Sequence, residues 1–320
     1  MNSEYTKIIE PKNQLNLYGY KNYFDTFKLL FKKKKLPKII LLTGKKGLGK
    51  STFAYHFANY LLSLDEKDEY IYSSFSINPN NLSYKSIQNN THPNFFALDK
   101  ESSEVINIEQ TRNLLKFLNK TVINKNIKIV LLDNVEYLNL NSSNALLKSI
   151  EEPPKNTYFF IINNESKKIL KTITSRCINF KFHFDNTNKK MIFSKIIKDY
   201  KLNFSEDDIE EFLFFDTHGN LLRYLIELKE LNVNISQNCL SCIDYFIEQY
   251  RKKSDQNLLN YISIFIEYFY KQLSNKNISN INYYYNNKNK ILNLITDMSK
   301  FHLDKKNFLF SIDQIIKNEA

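Results

Sequence analysis

One glycine-rich loop constrains the fold of this chain more than any other stretch of its sequence. Residues 44–51 fit the pattern G-x-x-x-x-G-K-S, which holds phosphate in many nucleotide-binding proteins. The apolar run 39–42 before the loop predicts a buried parallel strand, and residues 52–62 after it have the apolar spacing of a helix. Strand, loop and helix in this order are the context in which the motif binds phosphate, whereas a plain glycine turn would bind nothing.

The motif also predicts which residues would hold a nucleoside triphosphate with Mg²⁺. Glycines let backbone N–H groups curl around the β-phosphate, and Lys50 would reach the β- and γ-phosphates. The hydroxyl of Ser51 would bind Mg²⁺. The chain has only 5 glycines, so their clustering in this loop is a local departure from its composition. The predicted loop contacts with ATP or ADP are Gly44, Gly47, Gly49, Lys50, Ser51 and Thr52.

A second part of the same site is predicted where the apolar strand 127–132 ends at Asp133. A carboxylate in that position holds Mg²⁺ through water. The next residue is Asn134, whose amide cannot accept a proton, so general-base assistance worth roughly 10²–10⁴ in rate is expected to be missing. Glu136 is expected to point elsewhere because it lies further along a turn. The sequence therefore predicts a site that holds nucleotide and cleaves it poorly.

Length, composition and charge narrow the class of protein. The 320 residues suffice for two or three domains, and a net charge of +11 favours an acidic partner such as nucleic acid. A general bias toward lysine is the alternative source of that charge, and the lysine run 32–35 is either a solvated helix end or a DNA contact. No stretch approaches the roughly 18–20 apolar residues of a membrane span, and the first residues lack the core of a secretory signal. We expect a cytoplasmic protein with no membrane partner.

The three cysteines fit a reduced compartment. Cys239 and Cys242 form a lone C-x-x-C pair, and without further cysteine or nearby histidine this pair cannot complete a four-ligand zinc site. The two side chains lie one helical turn apart among apolar residues. We therefore predict that they pack within a helix, and we predict no zinc site.

The order of the predicted elements indicates an α/β domain followed by helices. Apolar runs predict strands at 39–42, 127–132 and 158–162, with a weaker strand at 94–98, and helical spacing appears between them at 106–119. This alternation is typical of a parallel sheet with helices on both faces.

Other stretches predict loops, caps and helices. The polar stretch 64–91 predicts a long loop or insertion, and the alternation of strands and helices stops after residue 182. Residues 205–208 predict an N-cap with an acidic first turn that opens a helix through residue 215. Gly219 and Asn220 predict a break before a helix at 221–231, after which only helical spacing remains.

Three further motifs give the chain its resemblance to a known family. They are N-A-L-L-K at 144–148, E-E-P-P at 151–154 and S-R-C at 175–177. In this order behind a phosphate loop they resemble the clamp-loader AAA+ ATPases of DNA replication, over about residues 17–225. Within that group the chain is most similar to the delta-prime subunits of bacterial DNA polymerase III. The reasons are that residue 134 is not glutamate and that no cysteine cluster follows residue 62.

The resemblance implies a domain organisation. An AAA+ α/β phosphate-loop domain would occupy residues 1–184, with a parallel sheet and helices on both faces. A small helical lid domain would follow over 185–235, and an all-α collar domain for oligomerisation over 236–320.

The resemblance also implies roles for residues outside the loop. Arg176 resembles an arginine finger that points into the nucleotide site of a neighbouring subunit, with a local salt bridge as the alternative. Asn164 resembles the sensor of the γ-phosphate, and Asn163 is the alternative if the register differs by one residue. Arg223 resembles the second sensor residue of the family, and the alternative is an exposed arginine on a helix. Residues 17–20 match the position at which the family holds the adenine base.

The function implied by the resemblance is an ATP-binding subunit of the replicative clamp loader. Its partners would be gamma/tau and delta type subunits in a hetero-oligomeric ring, and through the complex the sliding clamp and primed DNA. We expect the chain to be a component of the DNA polymerase holoenzyme. By itself it should have weak ATPase activity or none. Two alternatives are a hydrolysing motor of the gamma/tau type, which Asn134 disfavours, and a DNA-binding protein with a vestigial phosphate loop.

Overall fold

The chain forms two compact units. The computed structural model describes residues 10–99, 105–121, 127–202, 212–229, 239–253, 255–301 and 304–317. The first unit comprises Met1–Ile196 with Thr217–Asn220, and the second comprises Ile197–Asp216 with Leu221–Ala320. The predicted separation of a lid domain from a collar domain stays a prediction.

The first unit is built on a five-stranded parallel sheet with the strand order β2-β3-β4-β1-β5. Its strands are β1 (Ile39–Thr43), β2 (Phe95–Leu98), β3 (Lys128–Leu132), β4 (Thr157–Asn163) and β5 (Ile178–Lys181). The four strands predicted from apolar runs are confirmed. The sequence does not predict β5, because its residues are exposed or half-buried and form no apolar run.

Helices cover both faces of this sheet. The helices of the first unit are α1 (Lys21–Lys32), α2 (Lys50–Leu62), α3 (Leu82–Gln88), α4 (Ile108–Asn119), α5 (Leu140–Glu151) and α6 (Lys171–Thr174), together with α7 (Asn186–Asp199), which ends in the second unit. Successive residues of a strand point to opposite faces. Phe159 accordingly joins a buried cluster with Leu114 of α4 and Leu146 of α5, while the ring of Phe160 lies 5.9 Å from that of Phe57 in α2. The predicted α/β fold class is confirmed.

One helix lies where the sequence predicts a long loop. Helix α3 falls within 64–91, and the Asn81 side chain caps it by accepting a hydrogen bond from the Tyr84 N–H at 2.6 Å. Tyr84 and Ile87 are buried and, three residues apart, lie on the same side of the helix. The loop prediction therefore fails for 82–88 alone, because the polar composition of this stretch hides two apolar side chains that pack in the tertiary structure.

The second unit is helical in its described parts. Its helices are α8 (His218–Lys229), which begins in the first unit, α9 (Cys239–Lys253), α10 (Gln256–Lys276), α11 (Ile281–Phe301) and α12 (Lys305–Lys317). Cys239 and Cys242 are buried, as packing within a helix predicts. The predicted break at Gly219 and Asn220 is wrong, because both lie in the first turn of α8. The predicted cap at 205–208 lies outside the described residues.

Among the helices of the described residues, none combines the length and the apolar character needed to cross a membrane.

Candidate nucleotide-binding site

The phosphate loop runs from the end of β1 into the first turn of α2. Gly49 caps α2 with a φ of 87°, a left-handed conformation that costs glycine little. Gly47 has a φ of 83°, and a Cβ there would also overlap Thr217 Oγ1 and lie 2.7 Å from Asn220 Oδ1. Glycine is therefore required at 49 by the backbone conformation, and at 47 also by the close approach of another segment.

That segment, residues 217–220, lies directly on the loop within the first unit. Thr217 Oγ1 donates a hydrogen bond to the Lys46 carbonyl at 2.8 Å, and the Gly219 N–H donates to the Gly47 carbonyl at 2.9 Å. Sequence reasoning does not find this contact, because 171 positions separate Thr217 from Lys46 and no motif links them. The segment holds two peptide units of the loop in place.

Lys50, the lysine of the motif, is 2% exposed and turns back onto the loop. Its Nζ donates hydrogen bonds to the carbonyls of Gly44 at 2.7 Å and Lys45 at 2.8 Å. Burial lowers the pKa of Lys50 to about 8, although nearby carboxylates, chiefly Asp133, oppose this. An anionic phosphate would stabilise the charged form of this buried ammonium group.

Asp133 follows β3 and faces the first turn of α2. Ser51 Oγ donates a hydrogen bond to Asp133 Oδ2, so the two groups predicted to hold Mg²⁺ are in contact. Burial raises the pKa of Asp133 to about 7, and the neighbouring Asp99 adds to this, while the Ser51 hydrogen bond is the largest opposing effect. Thr52, next to Ser51, is half-buried. Carboxylate and hydroxyl oxygens fit Mg²⁺, whose charge would favour the ionised form of Asp133.

A chain of amide hydrogen bonds joins the carboxyl ends of β2, β3 and β4. Asn134 Nδ2 donates to Asp99 Oδ1 at 2.6 Å, and Asn164 Nδ2 donates to Asn134 Oδ1 at 2.9 Å. Asn163 Oδ1 instead accepts from the Glu165 N–H at 2.9 Å. Asn164 is therefore the one of these two neighbours whose side chain meets Asn134. The sequence could have suggested Asp99, because it directly follows the apolar run that forms β2.

Glu136 lies closer to this site than the sequence predicts. It is 8% exposed, and its Oε1 accepts hydrogen bonds from the Asn164 N–H at 3.2 Å and from Ser166 Oγ at 2.9 Å. Its Oε2 is buried and accepts no hydrogen bond from any residue that the structure describes. The short 3₁₀ turn Val135–Tyr137 directs this carboxylate toward Asn164, which differs from the expectation that it points elsewhere. A bound cation or its water would satisfy such an oxygen.

The segment 17–20, which the resemblance links to adenine, reaches the loop through Tyr20. This residue is 2% exposed, and its hydroxyl donates to the Leu48 carbonyl at 2.6 Å. Its ring centroid lies 5.2 Å from that of Phe53 and 5.0 Å from that of Phe182. Tyr20 thus belongs to an aromatic cluster that supports the loop, and the adenine role of 17–20 stays a prediction.

The two arginines with predicted roles differ in their surroundings. Arg176 is exposed, forms an ion pair with Glu151 and donates to the Thr172 carbonyl at 2.6 Å. This is the local salt bridge that the sequence offers as an alternative. Arg223 is half-buried in the second unit, where its charge opposes the burial that raises the pKa of Tyr261. Both roles stay predictions.

Comparison with known proteins identifies the family. A family model described as DNA polymerase III, delta subunit, matches residues 19–186, just over half of the chain. The delta' subunit of DNA polymerase III from Pseudomonas aeruginosa is 34% identical over 139 residues, which cover 43% of this chain and 40% of that protein. The gamma subunit from Buchnera aphidicola subsp. Schizaphis graminum is 28% identical over 229 residues, 71% of this chain and 60% of that protein. The matches span less than two thirds of either relative.

A solved structure of a DNA polymerase III gamma subunit-related protein from Thermotoga maritima aligns with a TM-score of 0.47 at 15% identity. The alignment covers 90% of this chain and 96% of that one. The family match itself is continuous from before the phosphate loop, through Asp133, to beyond Arg176. The chain therefore belongs to the DNA polymerase III delta subunit family, among the clamp-loader AAA+ proteins, and is most like their delta-prime members.

Proposed function

We propose that this chain is a clamp-loader subunit that binds ATP or ADP with Mg²⁺ and hydrolyses ATP very slowly. One observation carries the proposal. Lys50, Ser51 and Asp133 meet at the phosphate loop, while Asn134 presents an amide bonded to Asp99 where a general base would be needed. An amide can orient a water but cannot take its proton, so binding would persist and turnover would be lost.

The chain would act in trans through Arg176. Within a ring of gamma/tau and delta type subunits, its guanidinium would stabilise charge on the γ-phosphate of a neighbour, an effect worth 10³–10⁵ in related systems. Arg176 is exposed, and its surface ion pair with Glu151 is worth only about 0–1 kcal/mol. Exchange of that carboxylate for a phosphate would therefore cost little. The ring would then place the sliding clamp on primed DNA, in the cytoplasm.

The test measures ATP turnover by gamma-type subunits with clamp and primed DNA, with this chain added as wild type, Arg176→Ala or Arg112→Ala. Arg112 is an exposed arginine on α4 and serves as the matched control. We expect all three to join the complex in size-exclusion chromatography, and Arg176→Ala alone to fail to stimulate turnover. A chain that does not join refutes the subunit role, and stimulation by Arg176→Ala refutes the finger.

A hydrolysing motor is the second candidate, because gamma and tau subunits are also among the relatives. The purified chain and its Asn134→Glu variant separate the two. Slow turnover that the new carboxylate raises by roughly 10²–10⁴ supports the proposal. Fast turnover by the wild type that Lys50→Ala abolishes supports the motor instead.

A further inference from the structure

The second unit contains an open groove whose walls are aromatic. Its cavity has a volume of about 570 Å³, within the roughly 300–1,000 Å³ of ligand sites. Its floor is the end of α10, and one wall is the start of α11. The rings that line it are those of Phe214, Phe215, Tyr270, Tyr284 and Tyr285. We call this the aromatic groove.

Several rings of the groove and its rim face solvent. Phe214 is 80% exposed, Tyr285 is 60% exposed and Tyr283, beside the groove, is 51% exposed. Two of the three tyrosines at 283–285 are thus more than half exposed. Exposed aromatic side chains that cluster in this way mark an interaction surface more often than a structural one.

The lysines of the groove lie beside its rings on the α10 and α11 side. From residue 268 to 296 the sequence contains four lysines and no aspartate or glutamate, whereas residues 206–216, which include Phe214 and Phe215, contain three aspartates and three glutamates. Lys271 Nζ lies 5.7 Å from the ring centroid of Phe214, and Lys288 Nζ lies 5.1 Å from that of Tyr285. Among the described residues that line the groove, Glu267 is the one carboxylate. The occupant should therefore be anionic and should present flat, weakly polar faces to the rings.

We propose that the aromatic groove binds single-stranded nucleic acid. Bases would stack on Phe214 and Tyr285, and Lys271 and Lys288 would contact the phosphates beside them. Single strands combine planar faces with one charge per residue, which matches rings that alternate with lysines. Exposed Tyr283 extends the same chemistry beyond the cavity, which suits a polymer better than an isolated small molecule. This site is separate from the phosphate loop and does not depend on the proposed ATPase role.

The test is fluorescence anisotropy of a labelled oligothymidine of about 16 nucleotides, the upper site size of common single-strand binders, with the full chain. Loss of a stacking ring should weaken binding about 5- to 150-fold, so we expect this for Phe214→Ala and for Tyr285→Ala. Phe310→Ala is the matched control, because Phe310 is 62% exposed on α12 and does not line the groove. Lys271→Gln and Lys288→Gln should each reduce the salt slope by about 0.7.

Three outcomes would overturn the proposal. Equal affinities for the two groove variants and Phe310→Ala would place any binding on scattered lysines. Equal affinity for a duplex of the same length would exclude stacking. Groove variants that lose partner subunits in size-exclusion chromatography but keep oligothymidine affinity would make the groove a protein interface. A Lys50→Ala variant should bind oligothymidine like the wild type. The test of the aromatic groove is therefore independent of whether the phosphate loop binds nucleotide.

Discussion

The two units of this chain use polar and aromatic side chains in opposite ways. In the first unit, Asp99, Asn134 and Asn164 are tied to one another at the carboxyl edge of the sheet, and rings such as Phe160 are fully buried beneath them. In the second unit, Phe214 stands in solvent beside a lysine. Fixed polar groups on a buried scaffold suit one small ligand of defined geometry. Exposed rings suit a ligand whose sequence varies.

Two histidines of the first unit are buried. His56 is fully buried in the first unit, where its Nε2 donates to the Gln14 carbonyl at 3.0 Å. That bond fixes the neutral tautomer, so its Nδ1 accepts from the Tyr70 hydroxyl at 3.0 Å. His218, at the start of α8, is also buried in the first unit. The phosphate-loop unit is therefore the part of the described chain in which folding requires uncharged histidines.

The largest expected effect is the loss of stability in acid that the two buried histidines of the first unit cause. Burial lowers the pKa of His56 to about 3 and that of His218 to about 4. Between these values and about 6.5 the unfolded chain binds more protons, so the free energy of unfolding falls as the pH falls. At pH 5 each histidine should lower the free energy of unfolding by about 2 kcal/mol, whereas Asp133, whose raised pKa makes the folded state bind the extra proton, acts in the opposite direction. Urea unfolding at pH 7 and pH 5 measures it, and hydrogen-exchange mass spectrometry assigns the loss to a unit.

Carboxylates also titrate between pH 5 and pH 7, and two variants separate their effect on the free energy of unfolding from that of the histidines. Gln can donate to the Gln14 carbonyl and accept from Tyr70, so His56→Gln should reduce the difference between pH 7 and pH 5 by about 2 kcal/mol. His183→Gln replaces an exposed histidine and should leave it unchanged. An unaltered pH profile in His56→Gln would contradict the assignment.

A smaller effect is expected from alanine at the two loop glycines. Each change forces a left-handed residue to carry a Cβ, at roughly 1–2 kcal/mol. Gly47→Ala should cost about 1 kcal/mol more, because it also displaces Thr217 and the Gly219 hydrogen bond. Gly49→Ala is the control, since the nearest atom to its Cβ, Tyr20 Cε2, would lie 3.5 Å away.

The measurement that separates the two variants is hydrogen exchange at the Gly219 amide. It should exchange faster in Gly47→Ala than in Gly49→Ala. Equal protection in both would show that the contact between 217–220 and the loop contributes little to stability.

The smallest effect should come from the surface ion pair of Arg176. Glu151→Ala removes the carboxylate from an exposed pair and should lower the free energy of unfolding by no more than about 1 kcal/mol. Stimulation of gamma-type turnover should survive this change, in contrast to Arg176→Ala. Urea unfolding and the turnover assay measure both. A loss above about 2 kcal/mol would mean that the pair holds the fold together.

Much of the first unit could be predicted because its signals are local. Strands β1, β3 and β4 are buried on both faces and therefore appear as continuous apolar runs. Strand β5 and helix α3 could not be predicted in this way, because one is exposed and the other is short and polar. In the candidate site, Lys50, Ser51 and Asp133 follow from motifs. Other contacts do not, such as the turn that aims Glu136 at Asn164.

The sequence by itself determined the phosphate loop, its strand and helix, and the amide at residue 134, because each depends on neighbours within a few positions. Only the tertiary structure decided that 217–220 lies on the loop, and that Tyr283 and Tyr285 are exposed while Tyr270 is buried. Identical side chains on two successive helices differ in burial because burial depends on which distant segments cover them. Spacing along the chain does not contain that information.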